Sequence, residues 1–252
     1  MAGFRDYFSD ASDAYRRFRP EYPAELFAYL ATLAPARGLA VDCGCGNGQA
    51  SVALAAHFAD VLGTDASSSQ IASAAAAPNV RYQVSPAETI PTPPGSADLI
   101  TVAQAIHWFD HDRFFRAADQ ALKPGGVLAI WGYQFLHTDT ALDPLITDFH
   151  SQLLGPYWPP ERALLDAGYT RIPFPYPRQP TPAFAMEADW DFHQLLGYLN
   201  TWSAAKQFEK ANGFNPLEKV LDTLSKTWGD PDLARRVYWP LILWVGLKPG
   251  QG

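Results

Sequence analysis

Residues 39–58, LAVDCGCGNGQASVALAAHF, constrain the fold more than any other stretch of this chain. Residues 39–43 read as a short buried strand, and the alanine-rich 49–58 read as a helix. Between them Gly44, Gly46 and Gly48 let the backbone turn sharply and come close to a ligand. An acidic residue, Asp65, closes the next predicted strand, 61–64. A carboxylate in that place can accept hydrogen bonds from both hydroxyls of a ribose. The loop reads G-x-G-x-G. Dinucleotide sites use G-x-G-x-x-G, and Gln49 stands where their third glycine belongs. Asp42 at the head of the loop suits a cationic ligand and would repel a pyrophosphate, so both features argue against a nicotinamide cofactor.

The strand–helix alternation continues through 67–76 (helix), 80–84 (strand), 98–105 (a strand buried on both faces), 113–122 (helix), the turn KPGG and 127–133 (strand). Pro23 opens an earlier helix whose Leu26, Phe27, Leu30 and Leu33 recur at helical spacing. Such alternation predicts a parallel sheet with right-handed crossovers. Beyond residue 135 the pattern breaks. Residues 156–182 hold eight prolines among aromatic residues, which predicts an ordered cap over the sheet's edge. Helices are expected again at 190–199 and 216–228, the latter stopped by Gly229, and a last strand at 241–247. The expected division is an N-terminal arm and lid helix (1–35), a ligand-binding core (36–135), a substrate cap with a returning strand (136–236), and the last core strand with the tail (237–252).

A net charge of −7 disfavours nucleic-acid partners. The apolar stretch at 238–247 is too short for a membrane helix, and the charged N-terminus lacks a signal-like apolar run, so the chain reads as cytoplasmic. Cys43 and Cys45 flank one residue and read as small buried side chains in a tight turn; no metal site is expected.

These motifs resemble the class I S-adenosylmethionine-dependent methyltransferases, in the small-molecule branch that includes trans-aconitate methyltransferase-like enzymes. VDCGCGNG is similar to the family's cofactor loop, GTDAS to its ribose-binding strand end, SPAETIP to the loop beside adenine, and DLITVAQAIHWFD and LKPGGVLAIWGY to the fourth and fifth strands. YRRFRPEYP and GYLNTWSA resemble segments of this branch, so the likeness spans nearly the whole chain. It implies an α/β, Rossmann-like fold: a mostly parallel seven-stranded sheet, helices on both faces, and a helical, aromatic cap. It also implies S-adenosylmethionine as cofactor. Gly44, Gly46 and Gly48 would line its methionine part, Asp42 and Gln104 would lie near the ammonium, Asp65 would hold the ribose, and Ala66, Ala87 and Glu88 would sit by the adenine. One departure is Pro86, where many relatives carry an Asp that binds the adenine amino group.

The end of strand four, AIHWFD, places His107 and Trp108 where ligands of open α/β sheets bind. His107 can act as a general base, hydrogen-bond the acceptor, or orient backbone. Trp108 can wall the pocket. Tyr15 and Arg19 can belong to a lid near the methionine carboxylate or to a surface arm. Tyr198, Thr201 and Trp202 can line the acceptor pocket or only pack their helix. The expected reaction is methyl transfer to a small molecule, with the resemblance tilting toward a carboxylic acid. A protein or other macromolecular acceptor, and a non-catalytic cofactor-binding protein, stay open as alternatives.

Overall fold

The computed structural model describes residues 20–250. Helix α1 (Ala24–Leu33) starts directly after Pro23 and buries Leu26, Phe27, Leu30 and Ala31. Five strands then alternate with helices: β1 (Leu39–Cys43), α2 (Gln49–Leu54), β2 (Asp60–Asp65), α3 (Ser68–Ala72), β3 (Val80–Val84), β4 (Ala97–Ala103), α4 (His111–Ala121) and β5 (Leu122–Tyr133). The remainder comprises α5 (Leu142–Asp148), α6 (Arg162–Asp166), β6 (Ala185–Trp190), α7 (Phe192–Asn200), α8 (Ser203–Asn212), α9 (Leu221–Trp228) and β7 (Arg235–Leu247).

The seven strands form one sheet in the order β3-β2-β1-β4-β5-β7-β6. β1 to β5 pair in parallel, while β7 runs antiparallel to β5 and to β6. This is the Rossmann-like class I methyltransferase sheet that the resemblance implies. Strand order reverses between β1 and β4, which opens a crevice at their carboxyl ends. One face of the sheet is covered by α1 and α2, with Phe27, Leu54, Val127 and Trp131 in contact; the other by α4, with Phe114 and Ala118 against Ile100 and Ile130. A third cluster, rich in Trp and Tyr, forms the cap. Among the described residues no helix is long and apolar enough to cross a membrane.

Several boundaries depart from the sequence expectation for tertiary reasons. α3 ends at Ala72 rather than near 76, because the Ala75 N–H donates to the Asn47 carbonyl of the glycine loop (2.9 Å) and leaves the helical path. α2 ends at Leu54 in hydrogen-bonded turns that carry Phe58 into the core. β4 stops at Ala103, because Gln104 turns into the left-handed region at φ 55°. KPGG is not a free turn; it is a bulge within β5, where the pairing with β4 slips between Ala97 and Leu99. Trp190 belongs to β6, and α7 begins only after Asp191, whose carboxylate forms a capping box with Gln194. α8 was not expected at all, although Gly213 (φ 79°) marks its end.

The proline- and aromatic-rich segment divides: Tyr157 and Trp158 pack in the cap, as expected, but its later part does not. Tyr169, Ile172, Phe174 and Tyr176 pack with Trp244 and Phe115 on the α4 face of the sheet, not over its edge. Gly246 of β7 makes room for them: a Cβ there would meet Phe174 and Tyr176 at 2.7 Å. Gly246→Ala should therefore lower stability by roughly 1–3 kcal/mol through overpacking. Urea unfolding measures this, and an unchanged midpoint would show that the aromatic segment yields freely.

Candidate active site

The site begins in backbone geometry. After Cys43 the chain leaves β1 in a tight turn: Cys45 N–H donates to Thr64 O (2.9 Å) and Gly48 N–H to Cys45 O (2.9 Å). Gly46 has φ 54°, and a Cβ there would meet Gln70 Oε1 only at an ordinary 3.8 Å, so its need is conformational rather than steric. Gly48 (φ 87°) is pressed by the Tyr82 hydroxyl, and that hydroxyl donates to Ala75 O at 2.7 Å. Asp65 fastens the loop to the end of β2. One of its oxygens accepts from Gly46 N–H (2.9 Å), the other from Ser67 N–H (2.8 Å). An ionised carboxylate keeps further lone pairs after two such bonds, and Asp65 is half-buried rather than sealed.

Asp42 lies beneath this loop, wholly buried. Ser51 Oγ donates to one oxygen at 2.7 Å and Thr101 Oγ1 to the other at 2.9 Å. Both donors are neutral. Burial pushes Asp42 up to about 6, against the lowering effect of these two bonds and with the help of the nearby Asp65 charge. The free thiols of Cys43 and Cys45 are buried beside it; burial pushes Cys43 up to about 12 and raises Cys45 as well.

The opposite wall is the end of β4. Gln104 Nε2 donates to Tyr133 O (2.9 Å) and its Oε1 accepts from Tyr133 N–H (3.1 Å), so the side chain mimics a strand and secures the ends of β4 and β5. A non-glycine residue at positive φ is strained, and such strain concentrates at functional sites. Ala105 and Phe109 abut Gly44: a Cβ on Gly44 would meet their side chains at 2.7 and 3.0 Å. Between them a single 3₁₀ turn, Ile106–Trp108, presents His107 and Trp108, whose rings lie 4.8 Å apart. His107 is 8% exposed, with its Nδ1 3.5 Å from the Tyr169 hydroxyl. Burial, then the Arg162 charge and His111, lowers it to about 3, so the imidazole is neutral at physiological pH.

On the third side Ala87 is buried, Ala66 is exposed, and Glu88 Oε1 accepts from the Asp110 N–H (3.0 Å) just before α4. Ser85, absent from the sequence-based set, shapes this loop by donating to Thr89 O (2.7 Å). Tyr15 and Arg19 lie outside the described residues.

The cap meets the strand ends through α6. Gln134 Nε2 donates to Leu165 O (3.1 Å) and Asp166 O (2.6 Å), while Arg162 Nη2 donates to Gln134 O (2.8 Å). In the cap Trp202 is ringed by Phe149 (5.9 Å), His150 (5.4 Å), Trp158 (5.6 Å) and Tyr198 (5.9 Å). The Tyr198 hydroxyl accepts from Trp239 Nε1 at 3.0 Å, and Thr201 Oγ1 donates to Tyr198 O at 2.6 Å, closing its helix. Phe135, His150, Trp158 and Arg162 were missed from sequence. They come from separate elements, the loop after β5, the π-helical turn Phe149–Leu153, the stretch before α6 and α6 itself, and no local spacing signals their meeting.

Known proteins share this chain's pattern. Residues 41–130 match the family model described as "Methyltransferase domain". A Dictyostelium discoideum protein named "Putative methyltransferase" is 34% identical over 233 residues, covering 91% of this chain and 89% of its own. The chain belongs to the class I S-adenosylmethionine-dependent methyltransferases. A solved Anaeromyxobacter dehalogenans structure described as "a Putative Type II Methyltransferase" superposes with a TM-score of 0.87 at 40% identity, covering 92% of this chain and 99% of that one. The trans-aconitate 2-methyltransferase of Deinococcus radiodurans is 37% identical over 125 residues, 47% of each chain.

The methyltransferase's residues fit its family's cofactor. A phosphate-free, cationic ligand suits a loop with Asp42 buried beneath it. Asp65, set at the end of β2 by two amides, has the acceptor chemistry that a diol needs, and glycine at 44, 46 and 48 keeps the loop without side chains. Two outcomes follow. Asp65→Ala should weaken S-adenosylhomocysteine binding at least about tenfold, since charge-assisted bonds of about 1.5–3 kcal/mol are lost; unchanged affinity in a calorimetric titration would contradict the assignment. Asp42 is raised in the folded state, so its contribution to stability is full below about pH 4 and is lost as pH climbs through about 6. Asp42→Asn should escape that loss. Its stability relative to the native protein should rise by roughly 1–3 kcal/mol across this window, and a gap independent of pH would refute it.

Proposed function

We propose that this methyltransferase binds S-adenosylmethionine across the ends of β1, β2 and β4, and methylates a carboxylate oxygen of a small acid to give a methyl ester. The observation that carries the acceptor reading is His107. The one titratable side chain on the strand-end turn is buried, neutral and held to about 3, which makes it a weak base. A phenol, alcohol or ammonium acceptor would need a proton removed as it reacts. A carboxylate arrives ionised at neutral pH and needs none. The kinship with a protein named trans-aconitate 2-methyltransferase supports the same chemistry.

Bound S-adenosylmethionine supplies a methyl group on a sulfonium, a leaving group already activated. The chain's task is then alignment and exclusion of water. The Gly44–Gly48 loop and Asp65 hold one partner; the neutral His107 can hydrogen-bond the acceptor without competing for its charge. Trp108 presents an aromatic face, which attracts a cation by about 0.5–2 kcal/mol. Gln104 keeps the ends of β4 and β5 rigid, so that the two reactants meet at one fixed separation.

A labelled-methyl screen over small carboxylic acids, phenols and amines tests this. Base-labile methyl esters are the expected products. With S-adenosylmethionine saturating, so that protonation of Asp42 does not limit cofactor binding, the rate should stay level between pH 6 and 8, where an ordinary histidine base would titrate. Labelled phenyl ethers or methylamines without any ester, or a rate that climbs with an apparent pKa near 6.5, would overturn it.

A further inference from the structure

Arg162 lies on α6, the helical turn that packs on the 3₁₀ turn carrying His107. It is the first residue of α6, and its guanidinium lies 4.2 Å over the Trp158 ring, with the side chain 18% exposed. Two of its contacts are Gln134 O at 2.8 Å and an ion pair from Nε to Asp166 Oδ1 at 3.3 Å, to a carboxylate that is itself 48% exposed. Its positive charge disfavours protonation of both His107 and His150.

The neighbouring polar group is His150. Its ring lies 4.7 Å from Trp158, 5.3 Å from Phe135 and 5.4 Å from Trp202. Nδ1 is 3.3 Å from the Ser151 hydroxyl, while Nε2 is buried with no hydrogen-bond partner among the described residues. If Nδ1 accepts from Ser151, the proton sits on Nε2, a buried donor without an acceptor. Native proteins rarely leave such a group unmet unless a ligand or water completes it.

A planar, weakly hydrated cation stacked on tryptophan is suited to bidentate recognition of a carboxylate. The reacting oxygen belongs elsewhere. Ala105 and Phe109 face the glycine loop, whereas His107 meets Tyr169 and the α6 side, so the turn separates the loop from Arg162. We propose that Arg162, stacked on Trp158 beside His107, anchors an anionic group of the acceptor that does not receive the methyl, and thereby selects acceptors with a second carboxylate. Phe135, Trp158 and Trp202 wall the carbon frame, and His150 Nε2 donates to the same molecule. The inference rests on the methyl-ester reading and adds to it the residue that chooses the acid.

The test compares dicarboxylic acids such as glutarate with their monoamides, which match in size but lack one charge. The native chain, Arg162→Gln and Arg162→Lys are each measured for acid and amide binding in the presence of S-adenosylhomocysteine, and for methyl transfer. The native chain should prefer acid to amide by at least about tenfold. Arg162→Gln should bring that ratio close to one, through KM more than kcat. Arg162→Lys should restore only part of it, for want of the planar fork. Unchanged S-adenosylhomocysteine affinity serves as the folding control; where the Gln variant fails it, the Lys variant decides. An acid-to-amide ratio unaltered by the substitutions, or no preference in the native chain, overturns the anchor even if methyl esters form. Acid binding that depends on Arg162 without methyl transfer leaves the anchor standing and removes the methyl-ester reading alone.

Discussion

β7 gives its second half to one part of the molecule and its first half to another. Leu241–Leu247 pair with β5 in the cofactor-binding core, and Arg235–Pro240 pair with β6 in the cap. Pro240, which has no N–H to donate, falls at the handover between the two ladders, where a proline costs the sheet least. The same strand contributes Trp244 and Val245 to the core and Val237 and Trp239 to the cap. Cap and core are therefore one hydrogen-bonded ladder, not two bodies joined by a linker. The bonds of Gln134 to Arg162, Leu165 and Asp166 join α6 to the end of β5, and the Trp239–Tyr198 bond ties β7 to α7 within the cap. Because of this single strand the cap's aromatic residues and His107 stand at a constant distance. Methyl transfer needs little beyond a fixed distance.

Two buried acids show how differently the ends of the sheet are treated. Asp98, at the amino ends of the strands, accepts from Gly38 N–H and Leu39 N–H and pairs with Lys123 at 2.6 Å. Its charge is answered by a cation and two amides, so it serves structure. Asp42, at the carboxyl end, is equally buried and has hydroxyl donors in place of a cation. A buried carboxylate lacking a cation is costly unless a ligand supplies the positive charge. The fold thus leaves an unanswered negative potential under the glycine loop. In the cap the sign reverses, with Arg162 as the local charge. On the proposed reading a cationic cofactor would be drawn to the loop and an anionic end of the acceptor to the cap.

The cofactor half was legible because its determinants are local. β1 and β3 run over the residues that their apolar patterns marked, Ser67 caps α3 as its side chain suggests, and Gly229 ends α9. Each is decided by residues within a turn or two of one another. Where sequence reading failed, the deciding partner was distant: Asn47 shortens α3, and Trp244 draws the proline-rich aromatic residues onto the sheet face. α8 and the Asp191–Gln194 capping box are a different kind of miss, since their signals were present and local. Arg162 is the clearest nonlocal case. In sequence it is one arginine in a proline-rich stretch; only the fold brings it to Trp158, Gln134 and His107.

That contrast follows from the chemistry each half performs. On the proposed reading the cofactor would be held largely by backbone: amides of a glycine loop, and a carboxylate kept in place by two further amides. Backbone recognition demands glycine at set φ values and an acid at a set strand end, so it leaves a compact motif. On the proposed reading the acceptor would be met by side chains from α6, the π-helical turn Phe149–Leu153, and the loops that carry Phe135, Trp158 and Trp202. Side-chain recognition can be rebuilt by exchanging single residues on an unchanged frame, with no motif to mark it. Burial and charge are what remain to read: a neutral histidine, a stacked arginine and an imidazole nitrogen without a hydrogen-bond partner among the described residues are the features from which the acceptor is proposed, where the sequence pattern points only to the cofactor.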